Sequence, residues 1–174
     1  MQILSLINDA VLKPLEDIEN SAEGIIEMFT EQLSAPRVRV VAVANPINEC
    51  SIYEEPRACR SIAGRYEPGI MAINYHADVH TLLHLLAHHL QAAEMGERFW
   101  ESRRAEELKL PWELRPSEIT AELRAIQLAK RAPPRVWRIW ADEIKPKIKE
   151  LDEAIARLRA EAELLAAAAK RAQA

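Results

Sequence analysis

All five histidines of this 174-residue chain fall in one short segment. Four recur every four residues, and the fifth follows the last of them: His76, His80, His84, His88 and His89. Side chains four residues apart lie on one face of an α-helix. Asp78 before the segment and Gly96 after it are typical helix caps, so the sequence predicts a helix over 78–96. On that helix His84 and His88 face a common point, as a pair of metal ligands must.

The composition limits the class of protein. Apolar residues make up 49% of the chain and charged residues 29%, which is typical of a globular domain with a core. A net charge of −4 argues against nucleic-acid binding by charge alone. No apolar run approaches the roughly 18 residues of a membrane span. The chain start lacks the basic residues of a signal peptide, so we expect a cytoplasmic protein without a membrane partner.

Helical periodicity recurs on both sides of the histidine segment. Apolar stripes before the segment predict helices over 3–12 and 14–34. After it, the pattern predicts a helix over 117–131 with Ser117 as its cap, and a helical tail over 134–172.

Three segments predict a small β-sheet. Residues 37–44 have the strongest strand pattern, and their apolar second half is typical of a central strand covered on both faces. Residues 60–66 and 69–74 flank a Pro-Gly turn and predict a β-hairpin. A weaker pattern at 51–53 indicates a short extra strand. Helices around one small sheet make an α+β fold with a long C-terminal helical tail.

The tail carries a heptad pattern. Its apolar residues are spaced alternately by four and three positions: Ile144, Ile148, Leu151, Ile155, Leu158, Ala162, Leu165 and Ala169. Such a seam packs on its own domain or pairs with a partner, and Pro146 would kink the helix or open its second part. We predict a domain over 1–131, a tail over 132–174, and a homo-oligomer or protein partner bound through 144–169.

The histidine helix carries part of a catalytic motif. In the metallopeptidase pattern H-E-x-x-H, both histidines bind zinc and the glutamate takes a proton from the attacking water. Here the segment reads His84-Leu85-Leu86-Ala87-His88, so Leu85 occupies the general-base position. Leucine cannot accept a proton, and loss of such a base typically costs a factor of about 10²–10⁴ in rate. The sequence therefore predicts two metal ligands without the usual catalytic residue.

Residues 37–131 resemble the minimal zinc metallopeptidases of the zincin class that are called minigluzincins. The resemblance is carried by the predicted hairpin at 63–74, the helix segment at 81–91 and a motif at 115–122. It implies a small zincin-type domain in which the last strand of the hairpin borders the substrate cleft. It also implies zinc as the cofactor.

The resemblance further implies which residues bind the zinc. His84 and His88 match the two histidine ligands, and the third ligand in such families is a glutamate of an R-P-x-E-x-E-A-like motif. Here the motif reads Arg115-Pro116-Ser117-Glu118-Ile119-Thr120-Ala121-Glu122. Thr120 stands at one of the two glutamate positions, so Glu118 is the expected ligand and Glu122 the alternative.

Three functional hypotheses follow from these observations. The favoured one is a catalytically impaired metallopeptidase homologue that acts as a binding or scaffolding module. The second is an active zinc peptidase or hydrolase in which Glu94 or Glu122 serves as a displaced base. The third is an unrelated α+β protein without metal, which acts through helical interactions or binds nucleic acid. The residues for the last activity would be Arg131, Arg135, Trp137, Arg138 and Trp140, although the tryptophan spacing favours core packing.

Cys50 and Cys59 are too few for a disulfide framework. We expect two small, partly buried thiols. The alternative is a disulfide that closes a short loop, which would suit a thermophilic source because intracellular disulfides are common there.

Overall fold

The computed structural model of this protein describes residues 8–50 and 59–173. These residues form two small β-sheets surrounded by helices, so the predicted α+β class is confirmed. The α-helices are α1 (Lys13–Gln32), α2 (Val79–Met95), α3 (Glu97–Lys109), α4 (Pro116–Arg131), α5 (Pro134–Ile139) and α6 (Lys145–Ala172). The strands are β1 (Arg39–Val43), β2 (Ile47–Cys50), β3 (Cys59–Ile62), β4 (Gly64–Glu67) and β5 (Ile70–Asn74).

The two helices predicted over 3–12 and 14–34 are not separated in the structure. Residues 3–7 of the first predicted helix lie outside the described residues. Asn8–Leu12 forms a π-helical turn that runs directly into α1. Pro14 lies just after this π-helical turn, inside a continuous helix, where it cannot donate the backbone hydrogen bond that another residue would make.

α2 is the central helix of the fold and confirms the predicted span. Its N-terminus is capped by Asp78, whose side chain accepts a hydrogen bond of 2.9 Å from the amide of Thr81. Its C-terminus meets Gly96, which has a φ of +61°. Ten residues of α2 are buried, because the helix is apolar on nearly every side and neighbouring elements cover it.

The region after α2 differs from its prediction. α3 is not predicted by the sequence pattern, because its charged residues surround the helix and only Phe99 is buried. α4 begins at Pro116, one residue earlier than predicted. Ser117 does not cap α4, since its amide and hydroxyl both donate to the carboxylate of Glu106 on α3.

The three-stranded sheet has the order β1-β5-β4, with β1 and β5 parallel and β5 and β4 antiparallel. β5 is therefore the central strand, and the prediction that 37–44 is central was wrong. The predicted strand 60–66 is two strands, because β3 leaves this sheet and pairs with β2, which was not predicted. The predicted strand at 51–53 lies outside the described residues.

Two glutamates of α1 cover the free edge of β1. The amides of Val40 and Ala42 point away from β5, and they donate to the carboxylates of Glu23 and Glu19, each over 3.0 Å. Four residues of helix span about 6 Å, and two residues of strand span about 6.6 Å. This match of spacing lets one helix face satisfy two successive edge amides, and it hides an edge that could otherwise pair with another strand.

The tail packs on the domain with its first half only. The tail is helical without a break from Pro134 to Ala172, with a π-helical turn at Trp140–Ile144 between α5 and α6. Pro146 lies two residues after this turn and does not interrupt the helix. Ile144 and Leu151 belong to the main core, whereas every side chain from residue 159 to residue 173 is exposed. The predicted domain boundary at 131/132 stays a prediction.

A polar contact adds to this packing of the tail. Asp152 of α6 accepts hydrogen bonds from Tyr75 and from the Nε2 atom of His76, which lies in the turn before α2. His76 therefore lies outside α2 and contacts α6, unlike the other four histidines, which belong to α2.

Two observations bear on the predicted location. No helix among the described residues is long and apolar enough to cross a membrane. Cys50 and Cys59 form a disulfide that joins β2 to β3, and both are exposed, so the expectation of two partly buried thiols was wrong. Disulfides persist mainly in oxidising compartments and in hyperthermophiles. A cytoplasmic location stays a prediction.

The edge contacts of β1 generate a stability prediction. We expect Glu19→Ala and Glu23→Ala each to lower the free energy of unfolding by about 1–2 kcal/mol, because each leaves a strand amide without its partner. Glu19→Gln and Glu23→Gln keep an acceptor and should cost less. Urea denaturation measures the difference, with the exposed Glu31→Ala as the control. Equal losses in the alanine and glutamine variants would contradict this account.

Candidate metal centre

Helices α2 and α4 bring the three predicted ligands to one point. His84 and His88 lie one turn apart on α2, and Glu118 lies in the first turn of α4. The Oε2 atom of Glu118 is 2.9 Å from Nε2 of His84 and 3.1 Å from Nε2 of His88. The two Nε2 atoms are 3.2 Å apart. Tetrahedral ligands at about 2.0–2.1 Å from zinc lie about 3.3 Å from one another, so the three atoms nearly have the required separations.

The hydrogen bonds around His88 fix its tautomer. Its Nδ1 atom lies 3.0 Å from Oε1 of Gln91, and the amide nitrogen of Gln91 donates to the carbonyl oxygen of Ser117 over 3.1 Å. This arrangement turns an acceptor toward Nδ1, so Nδ1 carries the proton. Nε2 of His88 is left with a lone pair that faces the centre. Ser117 is held in turn by Glu106 of α3.

Glu122 orients the ring of His84 through its Nδ1 atom, as Gln91 does for His88. Its Oε2 atom lies 3.0 Å from Nδ1 of His84, and an ionised carboxylate can only accept. When His84 is neutral, its Nε2 atom also presents a lone pair, and the carboxylate of Glu118 presents a third. Three acceptors at these distances need either a shared proton or a metal cation between them. The residues present therefore fit a zinc ion, with each histidine oriented through its second nitrogen as in known zinc sites.

The electrostatics of the site favour ionised Glu118. Burial alone would raise its pKa, but the hydrogen bonds from His84 and His88 and the charge of Arg103 lower the pKa to about 2. Burial alone would lower the pKa of His84, but Glu118 and Glu122 outweigh burial and raise the pKa above the ordinary value of 6.5. Glu118 is therefore an anion at neutral pH, and the two imidazoles lie in a field that attracts cations.

The neighbouring histidines do not join the centre. His89 is buried, and both of its ring nitrogens have partners: Nδ1 lies 3.0 Å from the hydroxyl of Tyr66, and Nε2 lies 2.7 Å from the carbonyl oxygen of Pro36. His80 is exposed, and its Nε2 atom lies 2.8 Å from Oε1 of Glu122. Glu122, the alternative ligand, thus contacts His80 and the far side of His84, and we assign it an orienting role.

A cleft of about 220 Å³ opens in front of the centre. Its walls come from α2, α3, β2, β3, β4 and the turn before α4. They include His84, Leu85, His88, Gly64, Arg103 and Trp112. The sheet order makes β4 the free edge beside this cleft. The expectation that the last strand of the hairpin borders the cleft was wrong, since that strand is β5 and β5 is central.

Leu85 fills the place between α2 and the edge strand. It is 3% exposed, and a Cβ atom added to Gly64 would lie 2.6 Å from its Cδ1 atom. Only a glycine at position 64 leaves room for the leucine in this position. The general-base position is therefore occupied by a packed hydrocarbon side chain in the wall of the cleft.

The substitute bases suggested by the sequence lie elsewhere. Glu94 is outside the cleft and forms an ion pair with Arg124 of α4, which lowers the pKa of Glu94. Both oxygens of Glu122 are engaged by histidines. Glu49 lines the cleft, but it lies 3.3 Å from the guanidinium of Arg60.

The basic and aromatic residues near α5 do not form one stacking surface. Trp140 packs against the core, whereas Trp137 is 45% exposed and Val136 takes the buried position. The prediction that these tryptophans pack in the core was therefore correct for Trp140 and wrong for Trp137. The expectation that nucleic acid is an unlikely partner stays a prediction.

No family model matches the chain, and no curated protein or solved structure matches it either. The resemblance to minigluzincins therefore stays a prediction that rests on the sequence motifs. Sequence reasoning missed Gln91, Arg103 and Glu106, which surround the ligands. The position of Gln91, three residues after His88, is the one signal that could have been used.

Proposed function

We propose that this protein is a zinc-binding, metallopeptidase-like module that lacks the general base and acts through binding. The proposal is carried by the convergence of three electron-pair donors from His84, His88 and Glu118 at mutual distances of 2.9–3.2 Å. Zinc bound there would supply a Lewis acid that polarises a ligand. α2 holds the two imidazoles, α4 holds the carboxylate, and Leu85 puts no proton acceptor at position 85.

Zinc content tests the centre directly. We expect about one zinc per chain by mass spectrometry on untagged protein loaded with zinc and then desalted, and loss of that zinc in His84→Ala, because two ligands hold zinc poorly. The matched control is His76→Ala, which removes a histidine that contacts Asp152 instead. Wild-type protein without zinc, or zinc that persists in His84→Ala, would contradict the proposal.

A restored base tests the peptidase-like character. We expect Leu85→Glu to hydrolyse peptides at least about 10²-fold faster than Leu85→Gln, because only the glutamate can accept a proton. The two variants have nearly the same shape, so the comparison isolates the base. Wild-type protein should cleave no faster than Leu85→Gln. A Leu85→Glu variant that binds zinc and has no activity would argue against a peptidase scaffold.

We also propose that the tail pairs with a second copy of the chain. The first half of the seam packs on the domain and cannot contact a partner. The second half is exposed, with Leu165 71% exposed, and it remains free to pair. Ala162, Leu165 and Ala169 continue the apolar seam through the exposed part of the helix. The same seam of a second copy would cover these residues.

Light scattering after size exclusion tests this pairing. We expect a dimer of the wild-type chain and a monomer of Leu165→Glu, because a charge in the seam cannot be buried. Ala160→Glu makes the same change in charge on the opposite face of the helix and should remain a dimer. A monomeric wild-type chain would contradict the proposal.

A further inference from the structure

Arg103 of α3 is a nearly buried arginine whose guanidinium is incompletely hydrogen-bonded within the described part of the chain. Only 11% of its side chain is exposed, and it lines the cleft next to the metal centre. Its Nε atom lies 3.5 Å from Glu107, its Nη2 atom lies 3.8 Å from Oε1 of Glu118, and its Nη1 atom is buried with no partner among the described residues. Good hydrogen bonds between arginine and carboxylate are about 2.7–2.9 Å long. Buried hydrogen-bond donors without acceptors are rare and costly, so we expect this guanidinium to bind an acceptor.

The other arginines of the cleft are already paired. Arg60 contacts Glu49 and lies over the ring of Trp112 at 4.0 Å, and Arg65 contacts Glu67 over 2.6 Å. Arg103 is different, because the nearest oxygen of Glu118 belongs to a carboxylate that the two histidines already share.

The charges at the inner end of the cleft favour an anion. The positive charges at this end are a divalent ion at the centre and the guanidinium of Arg103. The carboxylates that contact Arg103 or the histidines do not line the cleft: Glu107, Glu118 and Glu122. A glutamate at position 85 would repel an anion bound in the cleft through its negative charge. Leu85 has no charge, and together with Gly64 and Trp112 it makes this wall of the cleft apolar.

A carboxylate is the anion that matches these features. Its planar pair of oxygens fits the fork of a guanidinium, and a carboxylate oxygen is a good ligand for zinc. The apolar walls suit a hydrocarbon body attached to that carboxylate. We propose that the cleft binds a small carboxylate ligand with an apolar body, held by Arg103 and by the metal centre. This inference rests on the proposed zinc site. Within it, Arg103 is the residue that selects for the anion.

Calorimetric titration of the zinc-loaded protein tests the inference. The probes are N-acetyl-L-leucine and its uncharged amide, N-acetyl-L-leucinamide. We expect the acid to bind and the amide to bind at least about tenfold more weakly. Arg103→Gln should weaken binding of the acid roughly ten- to a hundredfold, since it removes hydrogen bonds to a charged group. The control is Arg104→Gln, which changes the exposed neighbouring arginine and should leave the affinity unchanged.

Two further variants keep the test decisive. Leu85→Glu should weaken binding of the acid by restoring a negative charge, and it leaves Arg103 intact in case Arg103→Gln does not fold. Arg103→Lys keeps the charge and loses the fork, so its affinity should fall between those of wild type and Arg103→Gln.

Zinc content is measured in each variant to separate the two proposals. Zinc at one per chain with equal binding of acid and amide, or with full affinity in Arg103→Gln, would overturn the carboxylate inference and leave the metal centre intact. Inorganic phosphate that competes with the acid at equal affinity would also overturn it. Absence of zinc from the wild-type protein would overturn the proposed function itself.

Discussion

The contact of the Glu118 carboxylate with two imidazoles is the interaction on which the rest of the structure depends. Glu118 is 4% exposed and His88 is 1% exposed, so these polar groups are buried where an unpaired charge is expensive. α2 must therefore present its histidines to the first turn of α4, and α4 must begin where it does. The contacts from Gln91 to Ser117 and from Ser117 to Glu106 fix that start and connect α2, α4 and α3. The position of α3 in turn places Arg103 in the cleft wall.

The sequence predicts the parts of this arrangement that depend on local spacing. The helix over 78–96 follows from its caps and from the four-residue recurrence of histidines, and α1 follows from an apolar stripe of helical period. His84 and His88 are predicted to share a face because they are neighbours on one helix. Glu118 is placed at the centre only through the resemblance, because no local rule tells how α4 lies against α2.

The failures concern relations between distant segments. The apolar run in 37–44 looks like a central strand, yet β1 is an edge whose amides are covered by Glu19 and Glu23, and helical spacing alone does not reveal that contact. α3 is surrounded by charge and gives no periodic signal, so Arg103 could not be assigned to the cleft. A tryptophan stripe predicts burial of Trp137, but Val136 faces the core instead.

In the proposed function, metal ligation and proton transfer use different residues, so a leucine at position 85 is compatible with a metal centre. His88 and His84 are oriented by Gln91 and Glu122 and not by the residue at position 85. Buried polar groups are costly to keep, because apolar side chains of similar size often pack as well or better. The proposed cation between His84, His88 and Glu118 and the proposed anion beside Arg103 would turn these groups into a balanced site. Leu85 fits such a site better than a glutamate would, because it supplies an apolar wall and adds no charge that competes with a bound anion.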